Sequence, residues 1–472
     1  MRSLLTLAAA LLASTAHADT LADALAAAYA NNPDIAAQRA VVRQFDESVP
    51  QALSAARPQV SPNASYTQQL SSGFGDQGRL FQGGVTISQP LFRGGRTRAS
   101  VSAGEQRIYA ARARLRQAEN QVLVNVVTAY ADVLRTRELV KLNQNQVRVL
   151  ETELRASRDR FEVGDLTRTD VAQSQARLSL AQANLVAARG QQVAAEQAYL
   201  RQVGRPPVNL QPIPALPPLP RDVPTAIDAA RADSPSLLAA RFDEGAARYD
   251  VRTIQGERLP TVSVSASGLY QDFSGGPGSA GPIGPGGGGG FGFSGFTPQI
   301  GASVSVPLFT GGNIGSRTRQ AQARQSQLLE TITSTDRAVV EGVTNSFEGV
   351  VTARGVRDAA LVQIEATALA AEGTRQEQQV GSRTVIEVLN AEQELLNART
   401  NLVQAERDLV VAGYSLLATM GRTEAVALGA PVEPYDPTYN ARRVRALWGD
   451  GGGADPRTQR DANTARLRTA AR

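Results

Sequence analysis

The chain is written twice. Residues Pro90–Arg205 align with Pro307–Arg422 without a gap, at a constant offset of 217 positions. In that register Pro90, Leu91, Phe92, Gly94 and Gly95 match Pro307, Leu308, Phe309, Gly311 and Gly312. Farther along, Val163, Gly164, Thr167 and Val171 match Val380, Gly381, Thr384 and Val388, and Gly204-Arg205 matches Gly421-Arg422. The preceding segments, Leu21–Thr67 and Val223–Leu269, align at an offset of 202, so the 15-residue difference falls in the glycine-rich stretch near Pro285–Gly290. A duplication on this scale makes each half an equivalent part of a pseudo-symmetric architecture and argues against a single catalytic pocket.

Composition narrows the chemistry. Residues 1–18 read as a secretory signal, with Arg2, the apolar run Leu4–Leu12 and the small-residue pattern Ala16-His17-Ala18. The run is too short to span a bilayer as a helix, and the mature chain is expected to start at Asp19. Cysteine is absent, which removes a disulfide framework, thiolate chemistry and a lipoprotein acylation site. The single histidine, His17, lies in the signal. Zinc sites and histidine-based acid–base schemes are therefore excluded from the mature chain. No metal, no cofactor and no catalytic residue is expected, although carboxylate-only or Ser/Lys chemistry stays formally open.

The net charge of +5 does not mark a nucleic-acid binder. Residues 441–472 hold eight arginines against three aspartates, which is the whole excess. That stretch reads as a solvated, disordered terminus, with attraction to anionic lipid or lipopolysaccharide as the other reading.

No proline interrupts the chain between Leu91 and Arg205 or between Leu308 and Ala430, and good helix formers dominate there. Apolar residues recur at helical spacing, with Val122, Val126, Ala129 and Val133 on one line and Val339, Val343 and Val350 in the second copy. Polar residues fill the remaining faces, so the pattern predicts amphipathic helices and not transmembrane ones. One helix is predicted from about Arg96 to Phe161, roughly 100 Å at 1.5 Å per residue, and a second from about Arg168 to Val203. Helices of that length bury their stripe on neighbours, so an elongated bundle is one reading.

Strands separate the readings. Pro260–Tyr270 and Ile300–Leu308 alternate apolar residues with Ser, Thr and Gly, and Gln59–Leu70 and Gly84–Phe92 do so more weakly. Segments of about ten residues with one apolar and one small polar face are typical of outer-membrane β-strands. A soluble hairpin packed on the bundle is the other reading, and it accounts less well for a polar face made of Ser, Thr and Gly. Membrane strands must close into a barrel, and four cannot enclose a channel. Two chains would give about eight strands and three about twelve; only the larger leaves a clear lumen. Oligomerisation follows from the sheet, whereas the number three does not.

Gly94-Gly95 and Gly311-Gly312 sit where strand gives way to helix. Asn32-Pro33 and Ser234-Pro235 read as helix starts. Seven prolines between Pro206 and Pro220 make a stiff extended connector. The run Gly286–Gly290 lacks the Lys-Ser/Thr of a phosphate loop and reads as an external loop. Each long-helix pair turns at a matched motif, Arg160–Val171 and Gln379–Val388. Gly164 and Gly381 stop the outgoing helix. Thr167 with Asp170, and Thr384 with Glu387, have capping-box spacing, which accounts for both carboxylates without further function.

These features together resemble the outer-membrane efflux protein family. The two-fold repeat, the LF-x-GG junctions, both VG-containing turns and the stretch Pro434-Tyr435-Asp436-Pro437 to Arg443-Val444-Arg445 and Trp448 carry the resemblance over about residues 19–450. The last of these, with the missing acylation cysteine, is closer to the TolC-like channel-tunnels of type I secretion than to lipidated members. The resemblance implies a mixed α and β fold: long α-helical hairpins forming a periplasmic α-barrel, and four β-strands per chain contributing to a trimeric outer-membrane β-barrel. It implies a homotrimer in outer-membrane lipid that meets a periplasmic adaptor (membrane fusion) protein and an inner-membrane ABC or proton-driven pump, with no nucleic acid involved.

Carried over by position, Val163, Gly164, Leu166, Val380, Gly381 and Ser382 match adaptor-contacting tips. Thr169, Asp170, Arg383, Glu387 and Asn390 match the entrance gate. A tyrosine expected in the gate linkage is Gln378 here, and Asn390 stands where a second acidic ring residue is expected. The resemblance therefore implies a weaker gate and a less cation-attracting constriction.

The expected organisation is a signal at 1–18, helices at 19–57, a β-hairpin at 58–93, a long helical hairpin at 94–205 and a linker at 206–223. The second copy follows with helices at 224–259, a β-hairpin at 260–310 and a helical hairpin at 311–422. A segment at 423–450 is expected to pack on the mid-tunnel region, and 451–472 to be a disordered basic tail. The expected function is a passive, gated exit duct for type I secretion or multidrug efflux. The alternative is a non-conducting structural or adhesive coiled-coil protein anchored in the outer membrane.

Overall fold

The structure is a computed structural model that describes residues 19–68, 79–274 and 293–449. The proposed signal, the Gly286–Gly290 loop and the tail from 451 lie outside the described residues, as do the last two residues of the strand expected to end at Leu70. The chain forms two compact units, one from Met1–Val41, Arg112–Ala239 and Thr333–Asp436, the other from Val42–Ala111, Ala240–Ile332 and Pro437–Arg472.

The helices are α1 Leu21–Asn31, α2 Pro33–Asp46, α3 Ser48–Ser54, α4 Arg96–Glu162, α5 Arg168–Val203, α6 Val223–Asp233, α7 Pro235–Gln255, α8 Asn313–Gln379, α9 Val385–Thr419 and α10 Tyr439–Arg445. The strands are β1 Gln59–Gln68, β2 Arg79–Arg93, β3 Thr261–Ser274 and β4 Phe293–Ser305. Both α4 and α8 run for 67 residues. Pro33 and Pro235 open α2 and α7 as first-turn residues, where a missing N–H costs nothing. The helix α10 carries Arg442, Arg443 and Arg445, so the arginine-rich stretch from 441 is not wholly a disordered terminus. Asn440 and Val444 are buried and hold it in place.

The first unit contains the same core twice. Leu25 of α1, Val126 and Tyr130 of α4 and Tyr199 of α5 lead one cluster. Ala226 of α6, Val343 of α8, Leu416 of α9 and its C-cap residue Met420 lead the other. Under the two offsets Ala24, Val126, Tyr199 and Val203 become Ala226, Val343, Leu416 and Met420, so the apolar stripe read from the sequence is buried in both copies. The proline-rich linker runs over this core. The Tyr130 hydroxyl donates to the carbonyls of Asp19 and Gln211 (2.9 and 2.7 Å). Leu216 lies so close to Gly413 that a Cβ there would stand 2.6 Å from its Cδ2.

The second unit holds one antiparallel sheet in the order β1-β2-β3-β4. Two strands start earlier than the alternation suggested: β2 at Arg79 instead of Gly84, and β4 at Phe293 instead of Ile300. β4 also stops at Ser305, short of the expected Leu308. Pro307 offers no N–H to a ladder. The equivalent Pro90 lies inside β2, where pairing with β3 continues through a register shift between Pro90 and Phe92. β4 has β3 on one side and no further strand on the other among the described residues.

Candidate functional site

Each helical turn is built by its glycine. At the α4–α5 turn Gly164 has φ 84°, and at the α8–α9 turn Gly381 has φ 81°. The amide of Gly164 donates to Phe161 O and that of Asp165 to Arg160 O; the amides of Gly381 and Ser382 repeat the pattern on Gln378 O and Glu377 O. This closes the helix ends as a Schellman pair. Both return helices then start with a capping box, Thr167 with Asp170 and Thr384 with Glu387. Val163 and Val380 stand exposed at equivalent places on the two turns, while Leu166 is partly buried against Leu150, Leu154 and Leu178. The Ser382 hydroxyl donates to Glu377 O (2.8 Å).

The expected gate residues separate into local groups within the chain. Arg383 Nε donates to Glu377 Oε2 (2.7 Å) and its Nη1 to Glu387 Oε1 (2.9 Å). The Thr384 amide and hydroxyl also hold Glu387, at 2.8 Å each. The backbone bond from Thr384, with the Arg383 guanidinium, pulls the Glu387 carboxyl down to about 2. Asp170 is lowered by the Thr167 hydroxyl and amide, and Thr169 is exposed on the first turn of α5. Asn390 accepts from Arg177 Nη2 (2.9 Å), a bond that joins α5 to α9.

The Glu387 cap has a defined acid limit. Its carboxyl is lower in the folded chain than when free, so its stabilisation is complete above the ordinary value of 4.5 and is lost as pH falls through about 2. Amide exchange at Thr384–Val388 is expected to speed up across that window relative to amides in mid-α9. Uniform protection down to pH 2 would contradict the cap.

Two interactions were missed from the sequence. One is Arg177–Asn390. The other is Arg375, which binds Glu392 Oε1 through Nη2 and Glu372 Oε2 through Nη1 (3.1 Å). The Glu392 side chain is only 6% exposed. Glu153 on α4 belongs to the same cluster: burial pushes its carboxyl up, Arg375 pulls it down and Glu392 raises it again. A signal was available, because Glu392 interrupts the apolar stripe Val388, Leu389, Leu395, Leu396.

The sheet presents two chemically different faces, and register fixes them. Pairing aligns Val60 with Ile87, Tyr66 with Phe81, Tyr270 with Phe296 and Val262 with Val304 on one face. Ser61 with Thr86, Ser88 with Ser265 and Ser263 with Ser303 share the other. Tyr66, Phe81, Val85, Ile87, Phe296, Ile300 and Val304 are all exposed on the apolar face. Gly268 makes room for the Phe296 ring, which a Cβ would meet at 2.7 Å. Among the described residues no helix is long and apolar enough to cross a membrane, and no group of three His, Cys, Asp or Glu could hold a metal.

An exposed apolar sheet face backed by a Ser/Thr face, together with duplicated long helices, defines a membrane-embedded β-barrel component with a helical extension. The comparisons agree. Residues 24–205 and 226–422 match the family described as Outer membrane efflux protein. The chain is 35% identical over 435 residues to outer membrane efflux protein BepC of Brucella suis biovar 1 (strain 1330), covering 92% of each. It is 28% identical to outer membrane protein TolC of Escherichia coli (strain K12) over 412 residues, 81% of this chain and 79% of that one. The fold matches the Campylobacter jejuni CmeC outer membrane channel with a TM-score of 0.71 at 16% identity, covering 90% of this chain and 89% of that one. The chain belongs to the outer membrane efflux protein family. It is an outer-membrane channel-tunnel of the efflux and type I secretion class that extends into the periplasm. Family membership also implies partnership with adaptor and pump proteins.

Proposed function

We infer that the chain assembles as a homotrimer, with three four-stranded sheets closing a twelve-stranded barrel and the helices continuing the duct through the periplasm. The observation that carries this reading is the sheet itself. It has one exposed apolar face, one Ser/Thr face, and edges at β1 and β4 that no described strand of the chain covers. Unpaired edges are not tolerated in hydrocarbon, so pairing β4 with β1 of the next copy is the economical closure. Twelve strands enclose a water-filled lumen lined by the Ser/Thr face.

The turns of the helical hairpins form the periplasmic entrance. Exposed Val163 and Val380, presented by Gly164 and Gly381, suit knobs for an adaptor, with Leu166 and Ser382 bracing the turns. Arg383, Glu387, Asn390, Thr169 and Asp170 form the gate that an adaptor and an ABC or proton-driven pump would open. The duct supplies no energy. Protein cargo and small toxic compounds both fit a passive duct of this kind.

Single-channel current from the detergent-extracted protein in a planar bilayer tests the reading. Uniform conductance steps are expected, and Arg383→Ala, which releases Glu377 and leaves Glu387 held by Thr384 alone, is expected to raise basal conductance severalfold. Well-folded protein that inserts without conducting, in both the native and Arg383→Ala forms, would point to the structural or adhesive role instead.

A further inference from the structure

Trp448 is the only tryptophan of the chain and is 74% exposed, yet its surroundings hold it in place. Asn440 of α10 donates to Asp46 Oδ2 (3.0 Å) in a buried bond, and Val444 is buried. Arg445 pairs with Glu105 (3.3 Å). Arg57 Nη1 donates to the Leu447 carbonyl (2.8 Å), and the same guanidinium lies 4.9 Å from the centre of the Trp448 ring. A large amphipathic ring fixed in an exposed position, with a cation across its face, has the composition of an interfacial anchor.

Its place in the fold says what covers it. Arg57 stands two residues before β1, at the end of the sheet from which the helices leave. Gln89 shares the face of Val85 and Ile87 by alternation, and its Nε2 donates to the carbonyl of Ala56 (2.8 Å). The chain entering β1 therefore runs against the membrane-facing side of β2. Leu91 and Phe92 lie at the same level and are 63% and 48% exposed. Phe92 already has its lateral neighbour, Val262 of β3, within the chain, whereas Leu91 falls at the register shift.

We propose that Arg57 and Trp448 form a phospholipid headgroup site at the periplasmic edge of the barrel, with the ring at the glycerol level and the guanidinium on the phosphate. The proposal rests on the membrane reading of the sheet. Arginine suits a phosphate through its fixed fork of donors, and tryptophan concentrates at the headgroup level of membrane proteins. The site sets the depth of the barrel from its periplasmic side, using a segment that follows the second repeat and has no counterpart in the first.

With one tryptophan, intrinsic fluorescence reports the site directly. The full chain is reconstituted in vesicles of phosphatidylethanolamine and phosphatidylglycerol, with acyl chains brominated either near the headgroup or near the chain end. Trp448 emission is expected to lose more intensity to the shallow bromines than to the deep ones and to be shielded from iodide. Arg57→Gln is expected to restore iodide quenching. Shielding from iodide without quenching by either lipid would mean that protein covers the ring, and full iodide access would mean that nothing does; either result overturns the site. Ile300→Trp in a Trp448→Phe background separates this from the membrane reading. If that probe responds to the deep bromines while Trp448 responds to neither lipid, only the headgroup site fails. If neither probe responds, the membrane reading fails with it.

Discussion

Arg375→Ala is expected to destabilise the turn end of the helical hairpins by about 2–3 kcal/mol and to raise basal conductance. Removing one partner of a buried ion pair costs about 3–5 kcal/mol because the other charge stays buried without compensation. Glu392 is nearly inaccessible, but Arg375 is about one-third exposed, and solvent screening at its end lowers the expected cost. The loss is compounded by Glu153, whose carboxyl is already raised by burial and by Glu392. Without the guanidinium the two carboxylates face each other. A double variant, Arg375→Met with Glu392→Leu, is expected to recover part of the stability, since an apolar replacement of the pair removes the buried carboxylate and leaves only the half-buried Glu153 without this guanidinium. Thermal unfolding of the detergent-extracted protein, with amide exchange localised to α8 and α9, reads the difference. A single variant that melts with the native protein would show that water reaches Glu392.

The sign of the pH response follows from the same cluster. A carboxyl whose value is raised on folding binds its proton more tightly in the folded chain, so Glu153 costs stability as pH rises through the range above 4.5. Mild acid is therefore expected to restore part of what Arg375→Ala removes. Glu387 responds in the opposite sense, because its carboxyl is depressed.

What the sequence disclosed about this end was local in character. Thr167 with Asp170, and Thr384 with Glu387, are three residues apart, and a capping box needs nothing beyond that spacing. The stripe from Val122 to Val133 announces a buried face because a helix repeats every 3.6 residues. Arg177 with Asn390 is different. The residues are 213 positions apart and meet only because α5 and α9 pack together. Arg383 was assigned its role by resemblance, and within the chain its guanidinium is taken by Glu377 and Glu387. The sheet shows the same division. Alternation marked all four strands, but strand ends depend on partners: Pro90 lies within β2 because β3 pairs with it, and β4 ends before Pro307, where the chain supplies no partner.

That asymmetry between the copies leads to the strongest expected effect. Gly94 and Gly311 are equivalent and have nearly the same backbone, φ 61° and 60°. A Cβ on Gly94 would lie 2.3 Å from the carbonyl oxygen of Gly256 and 2.8 Å from Leu259 Cβ, whereas one on Gly311 would meet nothing within 4 Å. In the proposed three-fold ring the second junction must find what the first already has. The offset of 202 makes Ser54 and Arg57 of the next copy the counterparts of Gly256 and Leu259. Gly94→Ala is thus expected to impair folding of the chain itself, through about 1–2 kcal/mol of left-handed strain and a further 1–3 kcal/mol of backbone overlap. Gly311→Ala is expected to fold with only the strain. The overlap then falls on assembly, about 1–3 kcal/mol at each of three identical junctions and on the order of 3–9 kcal/mol for ring closure. Light scattering on the extracted protein is expected to find helical monomers in place of trimers. Gly312→Ala is the control. Gly312 and its counterpart Gly95 both have positive φ, and neither has an atom within 4 Å of a built Cβ, so this variant carries the strain without the overlap and is expected to trimerise. If Gly311→Ala and Gly312→Ala assemble equally well, the two junctions are not equivalent and the ring closes by some other contact.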